Sequence, residues 1–270
     1  MIKIDTIEIG NNRPFVLIAG PCVVESEEII FQTSESIKQI TEKLEIPYIF
    51  KSSYKKANRT SIDSFTGIGD EKSLTILRNV KEQLGLPVLT DIHSVAEVKI
   101  VAEKVDVLQI PAFLCRQTEL LIAAGKTGKT INIKKGQFLA PEDMKFAADK
   151  VASTGNKNIL LTERGTMFGY HNLVVDMRSL QIMRELDYPV VMDATHSVQL
   201  PSKENTSGGQ PKFIKTLARA AIAVGIDALF LEVHPNPAVA LSDAASQLPL
   251  SELSELLIEL KEIDKIVKKY

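Results

Sequence analysis

Eight short runs of apolar, largely β-branched residues recur along this chain, separated by segments of helical periodicity, and this alternation limits the fold more than any other feature. The runs are 15–19, 48–50, 87–90, 107–110, 130–133, 158–161, 189–192 and 228–231. Each is nearly continuous in hydrophobicity rather than alternating, the pattern of a parallel strand covered on both faces. Between them, residues such as Ile30, Ile37, Ile40 and Leu44 fall on one helical face. Leu253, Leu256, Leu260, Ile263 and Val267 make a similar stripe in the last segment, where Lys265, Lys268 and Lys269 complement the carbonyl end of a helix dipole. This rhythm, sustained over about 250 residues, predicts an α/β chain closed into a (β/α)8 TIM barrel, with an open doubly wound sheet as runner-up.

Residues 1–13 stand outside the rhythm. Ile2, Ile4, Ile7 and Ile9 alternate with polar neighbours around Asp5 and Thr6, which predicts a short N-terminal β-hairpin capping the barrel's lower end. No shift in composition marks a boundary, so residues 1–270 are expected to form a single barrel domain. The polar segment 201–211 is expected to be a mobile loop over the upper face. A formal net charge of −2 gives no global reason to expect nucleic acid or an anionic membrane as partner. The start lacks the layout of a signal peptide, and no apolar run approaches the roughly 20 residues of a membrane span. Two cysteines, Cys22 and Cys115, are too few for a disulfide framework and fit a reducing compartment. A cytoplasmic protein is expected.

In a barrel of this kind the chemistry sits where the strands end and the loops after them begin. Polar residues collect there: Lys51, Lys56 and Arg59 after the second run, Asp91 and His93 after the third, and Gln109 and Arg116 around the end of the fourth. Lys134 and Lys135 end the fifth run, and Glu163 and Arg164 the sixth. Seven basic residues thus converge on one mouth of a slightly acidic chain, which phosphate recognition explains through charge-assisted hydrogen bonds. Loops are rich in Lys and Arg in any case. Lysines set directly at the end of a buried strand, as Lys51 and Lys134 are, are costly unless paired or facing a ligand.

A second group is able to bind metal: Cys22 after the first run, His196 after the seventh, Glu232 at the end of the eighth and Asp243 beyond it. Closure of the barrel makes strands one, seven and eight contiguous, so one thiolate, one imidazole and two carboxylates can meet around a divalent ion. Spacing alone leaves other readings open. Cys22 can be an inert buried thiol, His196 a hydrogen-bonded structural histidine, and either acid the partner of a lysine.

Several stretches together resemble one family. They are IAGPCVVES at 18–26, FKSSYKKANRTS at 50–61, TDIH at 90–93, QIPAFLCRQT at 109–118, NIKKGQFLAP at 132–141, LTERGTMFGY at 161–170, DATHSVQLP at 193–201 and LSDAASQLP at 241–249. In this order and over essentially the whole chain, they are similar to the 3-deoxy-D-manno-octulosonate 8-phosphate synthases, also called 2-dehydro-3-deoxyphosphooctonate aldolases. The resemblance implies a barrel assembled as a homotetramer. It also implies a condensation of phosphoenolpyruvate with arabinose 5-phosphate and water, serving lipopolysaccharide (Kdo) biosynthesis.

Carried over residue by residue, the resemblance implies that Lys51, Gln109, Lys134 and Arg164 hold phosphoenolpyruvate. Asn58, Arg59 and Thr60 would bind the sugar phosphate, with Lys56 near both substrates and Asp91 close to the sugar. Phe113 and Arg116 match residues that reach a neighbouring subunit's site. The family divides by the residue after its GP or equivalent pair, cysteine in metal-dependent members and asparagine in the others. Cys22, with His196, Glu232 and Asp243, therefore implies the metal-dependent class; zinc, iron(II) and manganese(II) all suit such mixed ligands. His196 and Lys56 are the candidates for proton handling, with Asp243 beside them. The sequence departs from the family at Lys55, where an acid is common, at Tyr54, where phenylalanine is more frequent, and at Thr60, where serine is often found. Lys55 makes the entrance more positive and receives no role.

Three rivals stand beside this reading. A heptulosonate 7-phosphate synthase using erythrose 4-phosphate shares the phosphoenolpyruvate site but usually carries KPR and a hydroxyl residue where this chain has KANRT. A Schiff-base aldolase would use Lys134 as nucleophile but leaves Arg164 and the metal set unexplained. A non-catalytic sensor of phosphate ligands would be expected to have lost metal or proton-transfer groups.

Overall fold

A computed structural model describes residues 1–58, 62, 64–200 and 208–270. The chain opens with two short strands, β1 (Ile2–Ile4) and β2 (Ile7–Ile9), and continues through β3 (Val16–Gly20), α1 (Glu27–Lys43), β4 (Tyr48–Lys51), α2 (Asp70–Leu84), β5 (Val88–Asp91) and α3 (Val95–Ala102). There follow β6 (Val107–Ile110), α4 (Thr118–Gly125), β7 (Thr130–Lys134), α5 (Met144–Ala152), β8 (Ile159–Glu163), α6 (Arg178–Arg184) and β9 (Val190–Asp193). The two-residue strands β10 (Gln199–Leu200) and β11 (Gly208–Gly209) pair with each other. Last come α7 (Ile214–Val224), β12 (Ala228–His234), β13 (Leu248–Pro249) and α8 (Leu250–Lys268).

Strands β3 to β9 pair in parallel with their sequence neighbours, and β12 pairs in parallel with both β9 and β3. The eight-stranded sheet therefore closes on itself as the (β/α)8 barrel that the apolar runs predict. Every residue of these eight strands is buried, because helices cover the outside and side chains fill the inside. Alternation along each strand sorts the apolar residues into two layers. Leu17, Phe50, Val88, Leu108, Ile133, Leu161, Met192 and Leu231 pack outward against the helices. Val16, Ile18, Ile49, Leu89, Val107, Leu160, Val191, Ala228 and Phe230 point inward and meet Ile2, Ile4, Ile7 and Ile9 of the antiparallel β1–β2 hairpin. The hairpin thus caps the lower end, each buried isoleucine contributing about 2 kcal/mol relative to exposure.

Helix α1 starts where Ser26 Oγ accepts the Ile29 N–H at 3.2 Å, and Glu27 and Glu28 complement its positive end. Ile30 and Ile37 are buried on its inner face. In α8, Leu253, Leu256 and Leu260 are buried, but Val267 is exposed and Lys268 is buried in its place. Lys268 Nζ donates to the carbonyls of Arg13 and Ile226, so this lysine anchors the helix end rather than decorating it. Among the described residues no helix is long and apolar enough to cross a membrane. Of the expected loop 201–211, residues 201–207 lie outside the described residues, as do Arg59 and Thr60.

Candidate active site

The strands end in charge. Lys51, Asp91, Lys134, Glu163, Asp193 and Glu232 all lie within the strands and are almost wholly buried, one or two residues past the points where the apolar runs stop. Isolated charges so deep would be prohibitive, so five of them occur in ion pairs, and Asp91 accepts hydrogen bonds from Ser53 and Gln109. Lys51 Nζ donates to Glu232 Oε1 at 2.7 Å and to the Cys22 carbonyl at 2.9 Å. Lys134 Nζ donates to Asp193 Oδ2 at 2.6 Å and lies 4.0 Å from the centre of the Phe230 ring.

Strands β3 and β4 approach closely at this end: a Cβ built on Gly20 would lie 2.1 Å from the Lys51 carbonyl oxygen. Only glycine permits this contact, which brings Cys22 beside Lys51.

A cavity opens among these residues, lined by Lys51, Lys55, Lys56, Asn58, Asp91, His93, Gln109, Phe113, Lys134, Arg164, His196 and Glu232 with a few small neighbours. Arg164 is 5% exposed; its Nη2 donates to Gln199 Oε1 at 3.1 Å, while its buried Nη1 has no partner among the described residues. Burial lowers the guanidinium pKa, with Asp193 the largest opposing influence. An unpartnered donor of this kind suits an anionic ligand.

At one edge the ligand atoms of Cys22, Glu232 and Asp243 lie within 4.8 Å of one another. His196 Nε2 is 3.5 Å from Glu232 Oε1 and 3.8 Å from Asp243 Oδ2. Its Nδ1 is 2.8 Å from Asp193 Oδ2, the orienting contact that metal-binding histidines make with their second nitrogen. Glu232 Oε2 is buried without a partner among the described residues. Burial and the Glu232 carboxylate push the Cys22 thiol well above its usual range, against the Lys56 charge. One sulfur and two carboxylates within reach of one another, with the His196 imidazole beside both carboxylates and one carboxylate oxygen unsatisfied, are a donor set that suits a divalent cation.

Lys56 lies inside this group rather than apart from it, its Nζ 2.6 Å from Asp243 Oδ2 and 3.1 Å from Cys22 Sγ. Asp243 is held well below the usual carboxylate range: burial raises its pKa, but Lys56 and His196 outweigh that. Asp193 is likewise depressed, His196 and Lys134 outweighing burial.

Two readings of the basic mouth need correction. Lys135 does not face the cavity: it is fully buried, with Nζ donating to Thr166 Oγ1 at 3.0 Å and lying 3.5 Å from Glu163 Oε1. Nor does Lys55 add free positive charge at the entrance, because its Nζ pairs with Glu97 Oε1 at 2.9 Å and Asp70 Oδ2 at 3.2 Å. Tyr54 joins them, its hydroxyl donating to Glu97 Oε2 at 2.6 Å. Arg116 is exposed and does not line the cavity, whereas the exposed Phe113 does.

Asp193, Ser53, Asn132, Thr162 and Gln199 were not picked out from the sequence, yet the first two, Asn132 and Gln199 are bonded to site residues and Thr162 is bonded to Asn132. Ser53 donates to Asp91, and Gln199 Nε2 donates to Asp243 Oδ2 at 3.1 Å. Asp193 carried a usable signal, a carboxylate at the end of a buried strand three residues before His196.

The sequence model of the DAHP synthetase I family matches residues 1–269. Among curated relatives, the 2-dehydro-3-deoxyphosphooctonate aldolase of Trichlorobacter lovleyi is 57% identical over 268 residues, covering 99% of this chain and 98% of its own. That of a Cyanothece species is 59% identical over 96% of this chain and 97% of its own. That of an Azoarcus species is 58% identical, covering 97% and 95%.

Proposed function

The chain belongs to the DAHP synthetase I family, and from that premise we propose that it condenses phosphoenolpyruvate with arabinose 5-phosphate and water. The products are 3-deoxy-D-manno-octulosonate 8-phosphate and phosphate, used in Kdo biosynthesis for lipopolysaccharide. The relatives bearing the aldolase name span nearly the full chain, and KANRT at 56–60 argues for the five-carbon sugar over erythrose 4-phosphate. The observation that carries the chemistry is the ring of buried cations Lys51, Lys134 and Arg164 around one cavity, with Arg164 Nη1 unpartnered among the described residues.

The methylene carbon of phosphoenolpyruvate attacks the sugar aldehyde and forms the new C–C bond. Water adds to the former enol carbon, and phosphate leaves the resulting hemiketal phosphate to give the ketone. Both substrates are anions and repel each other. In this reading Lys51, Lys134, Arg164 and Gln109 neutralise and fix the enol phosphate, while Asn58, Arg59, Thr60 and Asp91 receive the sugar phosphate. Such positioning can lower a barrier by several kcal/mol, up to about 7–11 in the best cases. Lys56 and His196, beside Asp243, hold or move protons between water, aldehyde oxygen and leaving phosphate.

Cys22, His196, Glu232 and Asp243 would hold a divalent ion such as zinc, iron(II) or manganese(II). When bound, it would polarise the aldehyde oxygen or orient the attacking water. A Schiff base on Lys134 is disfavoured by the hydrogen bond from its ammonium to Asp193. A homotetramer with Phe113 and Arg116 reaching the next site belongs to the same reading, supported by exposed Phe113, Phe138, Phe168 and Tyr170 in the loops after β6, β7 and β8. Phosphorylated substrates and two buried free cysteines support a cytoplasmic setting.

The test is phosphate release and keto-acid formation by metal-stripped protein given phosphoenolpyruvate with either arabinose 5-phosphate or erythrose 4-phosphate. Divalent ions are then added back to wild type and Cys22→Asn. Activity restored with the five-carbon sugar in wild type supports the whole reading. Full activity in stripped protein removes the metal requirement, and activity with erythrose 4-phosphate alone overturns the sugar assignment.

A further inference from the structure

Four side chains from four consecutive strands form a single file of hydrogen bonds across the barrel interior. Thr162 Oγ1 on β8 donates to Asn132 Oδ1 on β7 at 2.6 Å, and Asn132 Nδ2 donates to Gln109 Oε1 on β6 at 2.8 Å. Gln109 Nε2 then donates to Asp91 Oδ1 on β5 at 2.7 Å. Asp91 and Gln109 line the cavity; Asn132 and Thr162 do not, and both are fully buried.

The direction of the file is forced from its charged end. Burial raises the Asp91 pKa, but Lys51 and Lys134 more than offset it and hold it at about 2, so the group is a carboxylate and only accepts. Gln109 must therefore turn its N–H2 group to Asp91, which leaves its carbonyl facing Asn132. Asn132 must offer its own N–H2 group there, and Thr162 must donate to the remaining oxygen. One N–H of Gln109 is used on Asp91; among the described residues its nitrogen makes no other hydrogen bond.

We propose that Asn132 and Thr162 are positioning residues that fix the amide sense of Gln109, so that its second N–H is presented as a donor to an anionic oxygen of phosphoenolpyruvate. The inference rests on the reading of Gln109 as a ligand of that substrate. A reversed amide would turn a carbonyl oxygen toward both Asp91 and the incoming anion, exchanging attraction for repulsion at two contacts.

Substitutions at position 132 separate this role from packing. Asn132→Asp can only accept, so it claims the Gln109 N–H2 group and turns the Gln109 carbonyl toward Asp91. Asn132→Leu removes the constraint without imposing the wrong sense. Thr162→Val leaves the Asn132 oxygen unpaired, and Thr162→Ser keeps the donor.

The experiment measures the melting temperature, kcat and KM for each substrate, and the calorimetric Kd for phosphoenolpyruvate, in wild type and these four variants. N132D is expected to weaken phosphoenolpyruvate by about tenfold or more, the scale of a hydrogen bond to a charged group. The expected loss exceeds that of N132L, with a smaller change in KM for the sugar phosphate. T162V is expected to lose affinity in the same direction, and T162S to recover it. The proposal is overturned if affinity simply follows melting temperature across the variants, or if N132D binds no more weakly than N132L. Failure of the underlying reading shows separately, as a wild type that consumes no phosphoenolpyruvate with either sugar.

Discussion

His196 Nδ1 and Asp193 Oδ2 lie 2.8 Å apart, and this contact turns His196 Nε2 toward Glu232 and Asp243. The same carboxylate oxygen accepts from Lys134, so one residue ties the imidazole of the candidate metal group to the cation nearest Phe230.

Asp193→Asn should therefore weaken divalent-ion binding by about 10–100-fold, the usual effect of removing an outer partner of a metal-bound histidine. Cobalt(II) titration monitored by its visible absorption measures this without turnover. Asp193→Ala also strands the buried Lys134 charge and should cost about 3–5 kcal/mol in urea unfolding. Equal cobalt affinity in wild type and D193N would remove the orienting role.

Asp91 sets an acid limit on stability. Its pKa falls from the ordinary 3.8 to about 2, chiefly because Lys51 and Lys134 outweigh burial. A depressed carboxylate pKa contributes stability that is complete above the unfolded value and lost as pH falls through the folded one. The window is thus roughly pH 4 down to pH 2, and the contribution about 2 kcal/mol. Urea midpoints measured across that window should fall less steeply in Asp91→Asn than in wild type.

The eight apolar runs located the barrel, but they stopped short of the strand ends at Lys51, Asp91, Lys134, Glu163, Asp193 and His234. Hydrophobicity reports the layers packed against helices or the hairpin, whereas the ladder of backbone hydrogen bonds continues into the mouth, where burial is sustained by charge pairing. Lys135 was misread for a reason the sequence does contain: along a strand, neighbours of an inward residue point outward, so Lys134 and Lys135 do not share a face. Lys55 is different. Its partners Glu97 and Asp70 lie on later elements, and nothing local to KSSYKKANR announces them. The four candidate metal ligands were findable because they are chemically distinctive; Asn132 and Thr162 sit within or beside apolar runs and show their role only once the strands are in register.

Gly20 offers a direct test of how the mouth is built. Its side-chain position is closed by the Lys51 carbonyl at 2.1 Å and by the Phe50 ring at 2.8 Å. Backbone cannot yield as a flexible side chain does, so Gly20→Ala should destabilise at or beyond the upper end of the usual 1–3 kcal/mol for overpacking. Because the displaced atom belongs to Lys51, phosphoenolpyruvate affinity should fall as well. Calorimetric melting and ligand titration on one preparation measure both, and a G20A protein of unchanged stability would contradict the close approach of β3 and β4.

The opposite end of the barrel should separate stability from chemistry. Lys268 Nζ lies 2.9 Å from Asp264 Oδ1 and donates to the carbonyls of Arg13 and Ile226, while Asp264 Oδ2 accepts from the Phe15 backbone N–H and the Tyr270 hydroxyl. Both side chains are essentially inaccessible, and they join the last helix to the entry of β3 and to the turn before β12. Removing one partner leaves the other charge buried, so Lys268→Met should cost about 3–5 kcal/mol. Neither residue lines the cavity. Below its lowered melting temperature, K268M should therefore retain wild-type KM for both substrates and a kcat within about twofold, since distant sites contribute nearly independently. A large KM change at a temperature where K268M remains folded would show that the lower end transmits strain to the mouth.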